Sequence, residues 1–201
     1  MSDGDTPVWE LEAATFDVGH TQAFAARLGA QLRAGDLIVL SGELGAGKTV
    51  FTQGLGAGLG VRAGIISPTF VLVRIHPNLT DGPRPGGPAL VHVDAYRLGS
   101  AAEIDDIDLE NTLDSSVTVV EWGEDRVEHL TDSRLDIALG RSEGAAAAPD
   151  GDFHHNGAQD AGGQDGVVTD FDQDDDDEAR LIRITAYGPR WAGQKPVLPV
   201  D

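Results

Sequence analysis

Residues 41–49, SGELGAGKT, constrain this chain more than any other stretch. They follow the apolar run DLIVL (36–40) and precede a segment in which Phe51, Leu55 and Leu59 recur at i, i+4 and i+8. The local order is therefore strand, glycine-rich turn, helix, which is the context a phosphate-binding loop requires. A short continuous apolar run such as LIVL (37–40) belongs to a strand buried on both faces, and such strands occur in parallel sheets covered by helices on both sides. The expectation is an α/β fold: a P-loop NTPase-like three-layer sandwich with a mixed central sheet.

The rest of the chain supplies the elements for that fold. VWELEAATF (8–16) alternates as a first strand, and the following segment places Phe24, Leu28 and Leu32 on one helix face, with Gly35 as its stop. FVLVRI (70–75) and ALVHVDAYRL (89–98) read as an antiparallel hairpin, because the proline- and glycine-rich HPNLTDGPRPGGP between them can only be a long loop. SAAEIDDIDLENTL is helical in part, VTVV (117–120) is a second buried strand, and GEDRVEHL is a short helix. RLDIALG (134–140) and RLIRITAYG (180–188) are two last strands separated by an unusual gap.

That gap, 142–178, carries twelve Asp or Glu and no Lys or Arg. It has almost no hydrophobic periodicity and too little apolar surface to offset its ordering entropy, so it is expected to be a disordered acidic insertion. His154 and His155 are the residues there with metal-binding chemistry; a solvated hairpin extension is the plainer reading. The ATPase domain expected from the sequence is then 1–141 together with 179–201.

Taking those twelve negative charges from a net of −20 leaves −8, so even the remainder lacks the basic face that nucleic acid or anionic lipid demands. No direct nucleic-acid binding and no membrane association are expected. The chain has no Cys, an acidic N-terminal MSDGDTPVWE without an apolar signal-peptide run, and no segment of membrane-spanning length. These features suggest a cytoplasmic protein.

In Gly42-Glu43-Leu44-Gly45-Ala46-Gly47-Lys48-Thr49, the glycines Gly42, Gly45 and Gly47 let the backbone curl until its N–H groups face phosphate oxygens, and the following helix adds its positive end. Lys48 is placed to reach the β- and γ-phosphates, and the Thr49 hydroxyl to ligate Mg²⁺. A chance match must be weighed in a chain with 26 glycines; against it, one of only two lysines stands where the motif needs it. Such a loop also needs carboxylates on neighbouring strands to hold the metal and orient water. Asp94 after LVHV and Glu121 after VTVV sit at carboxyl ends of apolar runs, the sheet edge where ligands of open α/β folds gather. Thr69 in ISPTF is either a switch threonine sensing the γ-phosphate or a turn hydroxyl capping local backbone. Arg97 either reaches the nucleotide or pairs with a surface acid, and Trp122 reads as a packing aromatic. A guanine-reading Asn-Lys-x-Asp motif is absent.

GELGAGKT, ISPTF, VDAYRL and VEWGE, in this order and spacing over residues from about 15 to 140, resemble the bacterial TsaE family. Its members are small P-loop ATPases required for threonylcarbamoyladenosine modification of tRNA. The resemblance implies ATP and Mg²⁺ as cofactors, Thr49 and Glu121 as magnesium ligands, and residues 45 to 50 (Gly45, Ala46, Gly47, Lys48, Thr49, Val50) as the main triphosphate contact. It implies Asp94 as an acid needed for hydrolysis and Thr69 as a switch threonine. It also implies a partner: a heterodimer of two sugar-kinase-like proteins, one of which transfers the threonylcarbamoyl group to adenosine 37 of tRNA, with this chain resetting or activating that complex. A small P-loop kinase acting on a metabolite is the alternative, separated by assay for phosphate transfer. The acidic insertion and the long loop at 77–88 depart from the family pattern, both in presumed hairpin turns.

If the acidic stretch contributes nothing to the core, deleting Ser142 to Glu178 and closing the turn leaves the melting temperature nearly unchanged, since a long surface loop adds little closure entropy. A large drop on thermal denaturation would show that the stretch packs.

Overall fold

The computed structural model describes residues 6–141 and 179–199. The acidic stretch 142–178, with His154 and His155, lies outside the described residues. The element order is β1 (Pro7–Thr15), α1 (Val18–Gly29), β2 (Leu37–Ser41), α2 (Lys48–Leu59), β3 (Val73–His76), β4 (Ala89–Asp94), α3 (Ala101–Asp105), α4 (Glu110–Leu113), β5 (Ser116–Glu121), β6 (Arg134–Arg141) and β7 (Arg180–Tyr187).

The strands form one seven-stranded sheet in the order β1-β7-β6-β2-β5-β4-β3. Its middle is parallel, with β2 hydrogen-bonded to β6 and β5, and β5 to β4. The edges are antiparallel: β3 on β4 at one side, β7 on β6 and β1 on β7 at the other. The apolar run Leu37–Leu40 is buried throughout, as a strand covered on both faces must be. Ile38 and Leu40 face one core with Phe24, Leu28, Phe51, Leu55 and Leu59 of α1 and α2. Leu37 and Val39 face the other, with Ile104, Leu109, Leu113 and Val127. Helix, sheet and helix thus make the three layers, and the mixed sheet matches the expectation.

Several boundaries differ from those the sequence suggests. The first helix ends at Gly29, not Gly35, because the Gln31 and Leu32 N–H groups bond to the carbonyls three residues back and tighten the chain, while still burying Leu32. β3 begins at Val73: the Val71 and Leu72 N–H groups both turn back onto the Pro68 carbonyl, which leaves Phe70 and Val71 exposed. β4 stops at Asp94, since the Ala95 N–H bonds to Glu121 O and carries the chain across the end of β5. Of the short helix expected over 123–130, only a 3₁₀ turn at Glu128–Leu130 forms.

The long loop between β3 and β4 has a structural task. Asn78 Nδ2 donates to Leu59 O at 2.7 Å and Arg84 Nη1 to Leu32 O at 2.7 Å, satisfying carbonyls at the ends of α2 and of the turn after α1.

α1 and α2 lie against each other through their smallest residues. A Cβ added at Gly54 would collide with Gln22 O, and one at Gly58 with Ala26 O. Replacing a glycine by alanine inside a helix normally stabilises by about 1 kcal/mol. Here the sign reverses: Gly58→Ala is expected to destabilise by roughly 1–3 kcal/mol through backbone overlap, measured by denaturant unfolding. A gain in stability would show that the helices can part without cost.

Candidate functional site

Three strands of the parallel block end at one level. Leu40 stands opposite Glu121 across β2 and β5, and Asp94 stands opposite Glu121 across β4 and β5. The glycine-rich loop leaves β2 one residue further on, so the loop and both strand-terminal carboxylates converge without any long reach. Positive φ angles at Gly42 (138°), Gly45 (81°) and Gly47 (92°) turn the chain from strand to helix. Gly47 caps α2 from a left-handed conformation, so the first turn of the helix opens into the loop.

Lys48 is 6% exposed, and its Nζ donates to Gly42 O and Glu43 O, both at 2.8 Å, lying 3.7 Å from the centre of the Trp122 ring. Burial lowers its pKa from the ordinary lysine value, with the negative charges of Glu121 and Asp94 pulling the other way. Thr49 Oγ1 donates to Glu121 Oε1 at 3.2 Å and stands 3.4 Å from Oε2. Asp94 Oδ2 accepts from Ser67 Oγ at 2.8 Å and Thr69 Oγ1 at 2.5 Å, and its Oδ1 accepts from the Tyr96 backbone N–H at 3.0 Å. The carboxylates are thus divided: Glu121 belongs to the loop through Thr49, Asp94 to the ISPTF segment through two hydroxyls.

These groups line a cleft of about 530 Å³ bounded by residues 44–50, Ser67, Thr69, Asp94, Tyr96, Glu121, Trp122 and Arg180, with the start of α1 forming the remaining wall. Of the residues singled out from the sequence, Gly45, Ala46, Gly47, Lys48, Thr49, Val50, Thr69, Asp94 and Glu121 all line it. Gly42 does not; it packs against β6, where a Cβ would strike Leu139 O. Arg97 is also not among the lining residues, its guanidinium carbon being 6.0 Å from the Phe70 ring.

Sequence reasoning missed several participants. Ser67 lies inside a motif already singled out, and its hydroxyl next to Thr69 was the available signal. His92 is the single polar residue inside the apolar run of β4, and burial of a polar residue in such a run is itself a sign of a partner. Trp122, read as packing, adopts φ 62° and turns its indole onto Lys48. Arg180, which no local pattern marks, is brought to the cleft by the pairing of β7 with β6, in which it stands opposite Arg141. Of the two readings open for Arg97, reaching the nucleotide or pairing with a surface acid, the first is not supported by its position outside the cleft lining, where Arg180 is the arginine present.

Among the described residues no group of three or more His, Asp or Glu is placed to hold a metal by itself. The oxygen donors present, the Thr49 hydroxyl and the Glu121 and Asp94 carboxylates, suit a hard cation such as Mg²⁺, which takes one or two carboxylates and completes its shell with phosphate oxygens and water. No helix among the described residues is long and apolar enough to cross a membrane.

Sheet order, loop and carboxylate placement together define an α/β protein of the P-loop NTPase-like class. Comparison with known proteins narrows the class. The family model described as threonylcarbamoyl adenosine biosynthesis protein TsaE matches residues 16–147. The TsaE protein of Streptomyces coelicolor is 47% identical over 167 residues, covering 83% of this chain and 90% of its own. The TsaE protein of Bacillus subtilis is 35% identical over 134 residues, covering 66% and 79%. The crystal structure of YdiB from the same Bacillus species superposes with a TM-score of 0.59 at 28% identity, covering 91% of this chain and 89% of its own. The chain belongs to the TsaE family.

Proposed function

We propose that this protein is the ATPase subunit that supports the threonylcarbamoyl transfer complex modifying adenosine 37 of tRNA. The observation that carries the reading is the convergence of Lys48, the Thr49–Glu121 pair and the Thr69–Asp94 pair in one cleft at the carboxyl edge of the sheet. The family membership supplies the pathway, and the relatives' names attach them to tRNA threonylcarbamoyladenosine biosynthesis.

The loop N–H groups of residues 45–50 and the end of α2 cradle the triphosphate of ATP, and Lys48 exchanges its two carbonyl partners for β- and γ-phosphate oxygens. Thr49 and Glu121 would hold Mg²⁺, which would supply positive charge to offset that of the phosphates. Asp94 orients the attacking water, and Thr69, tied to Asp94 by its hydroxyl, links the γ-phosphate to the position of the ISPTF segment. Arg180, whose Nε lies about 3.9 Å from where a Cβ on Gly47 would stand, adds a positive charge beside the loop. The partner is a heterodimer of two sugar-kinase-like proteins in the cytoplasm, and hydrolysis resets or activates it rather than performing the transfer.

Phosphoryl transfer is catalysed mainly by positioning and charge stabilisation, and a cation added in trans is worth roughly 10³ to 10⁵ in rate. With Arg180 already in the cleft, part of that effect is supplied by the chain itself. The isolated protein is expected to release phosphate slowly, and addition of the heterodimer to accelerate steady-state release by at least about tenfold. Equal rates with and without the heterodimer would overturn the regulatory-ATPase reading and favour a small P-loop kinase, which phosphate transfer to a metabolite would then reveal.

A further inference from the structure

The proposed reading leaves one buried titratable side chain without a role. His92 lies in β4 with no exposed surface, and its Nε2 is 2.8 Å from Glu121 Oε1 on the neighbouring strand. A carboxylate only accepts, so the imidazole nitrogen facing it, Nε2, carries a proton and donates it. Nδ1 has no hydrogen-bond partner among the described residues, nor has Nε2 of His76, whose ring centre lies 6.2 Å from that of His92. Among the described residues, the hydrogen bond to Glu121 is therefore the only one His92 makes through its side chain.

The consequences fall unequally on the two oxygens of Glu121. Oε1 accepts from His92 at 2.8 Å and from Thr49 at 3.2 Å; Oε2 has only the longer Thr49 approach at 3.4 Å. Glu121 is 2% exposed, so the orientation of its carboxylate is set by these bonds and not by water. Leu90, His92 and Asp94 alternate onto the same side of β4, which places the histidine directly between the apolar core under α2 and the cleft. We propose that His92 is a positioning residue: by donating from Nε2 to Oε1 it holds the Glu121 carboxylate so that Oε2 is presented, beside the Thr49 hydroxyl, to a divalent cation. Carboxylates that bind metals are commonly held in this way by a second hydrogen-bonding group, and removing that group typically costs 10–100-fold in metal affinity.

The inference rests on the reading of Glu121 as a magnesium ligand, and the test separates the two. ATP binding is followed by calorimetry while MgCl₂ is titrated, and again in EDTA, for the wild type, His92→Leu, His92→Gln and His92→Asn. Glutamine carries its amide nitrogen near the Nε2 position and keeps the donor; the asparagine amide falls short of Glu121 while remaining polar. His92→Leu and His92→Asn are expected to need about 10–100-fold more Mg²⁺ for half-maximal ATP binding, with unchanged affinity in EDTA. His92→Gln is expected to restore most of the wild-type requirement. In a Glu121→Gln background the His92 changes should have no further effect on the magnesium requirement.

A wild-type magnesium requirement in both His92→Leu and His92→Asn would overturn the positioning role while leaving Glu121 as a ligand. Equal losses in EDTA and in MgCl₂, tracking a lowered melting temperature, would make His92 a packing residue and overturn it as well. ATP binding by the wild type that is indifferent to Mg²⁺ would remove both the proposal and the metal assignment beneath it.

Discussion

The site depends on β5 being hydrogen-bonded on both sides to parallel partners. Parallel pairing brings the carboxyl ends of adjacent strands to one edge of the sheet, and the register places Leu40, Glu121 and Asp94 side by side. Glu121 then meets Thr49 because the loop begins just past Leu40, and Asp94 meets Thr69 because the chain turns back sharply at Pro68. A one-residue slip of β5 would turn Glu121 to the opposite face of the sheet, away from α2. Because both faces of β5 are apolar, with Val117 and Val119 on one and Val120 on the other, what disfavours that slip is the Glu121 carboxylate, which would be carried into the apolar cluster on the other face and away from Thr49 and His92.

Charge is buried here in combinations, not singly. Lys48, Asp94 and Glu121 are all nearly inaccessible, and each has hydrogen-bond partners: loop carbonyls for the ammonium, hydroxyls for Asp94, and Thr49 with His92 for Glu121. A lone buried charge would cost several kcal/mol, and here the hydrogen bonds to each of the three charged groups offset that cost. The left-handed backbone at Trp122 belongs to the same arrangement. A bulky residue in that conformation stores on the order of 1–3 kcal/mol of strain. The turn it makes immediately after Glu121 brings the indole against both Lys48 and Tyr96.

Much of this was legible in the sequence, for reasons that differ by residue. The loop, its helix and its buried strand are local, so spacing alone located Lys48 and Thr49. Asp94 and Glu121 were found because a strand-terminal acid after an apolar run has few places to be in a parallel sheet. The face of α1 and α2 was marked by Phe24, Leu28, Phe51, Leu55 and Leu59, all of which are buried. Boundaries were harder: β3 and β4 were read too long because Phe70, Val71 and Tyr96 look like strand residues yet stand exposed around the site. Arg180 was beyond reach, since its place follows from pairing with a strand far off in sequence. His92 was visible as a polar residue in an apolar strand, but its partner becomes apparent only when β4 and β5 are laid side by side.

The central claim is that this edge of the sheet is a magnesium-dependent triphosphate site built on Lys48. Isothermal titration of ATP into the protein with MgCl₂ tests it most directly. One binding event per chain is predicted, weakened by EDTA and absent from Lys48→Ala at the same protein concentration with its fold intact by circular dichroism. Equal ATP affinity in the wild type and Lys48→Ala, or no binding to either, would contradict it.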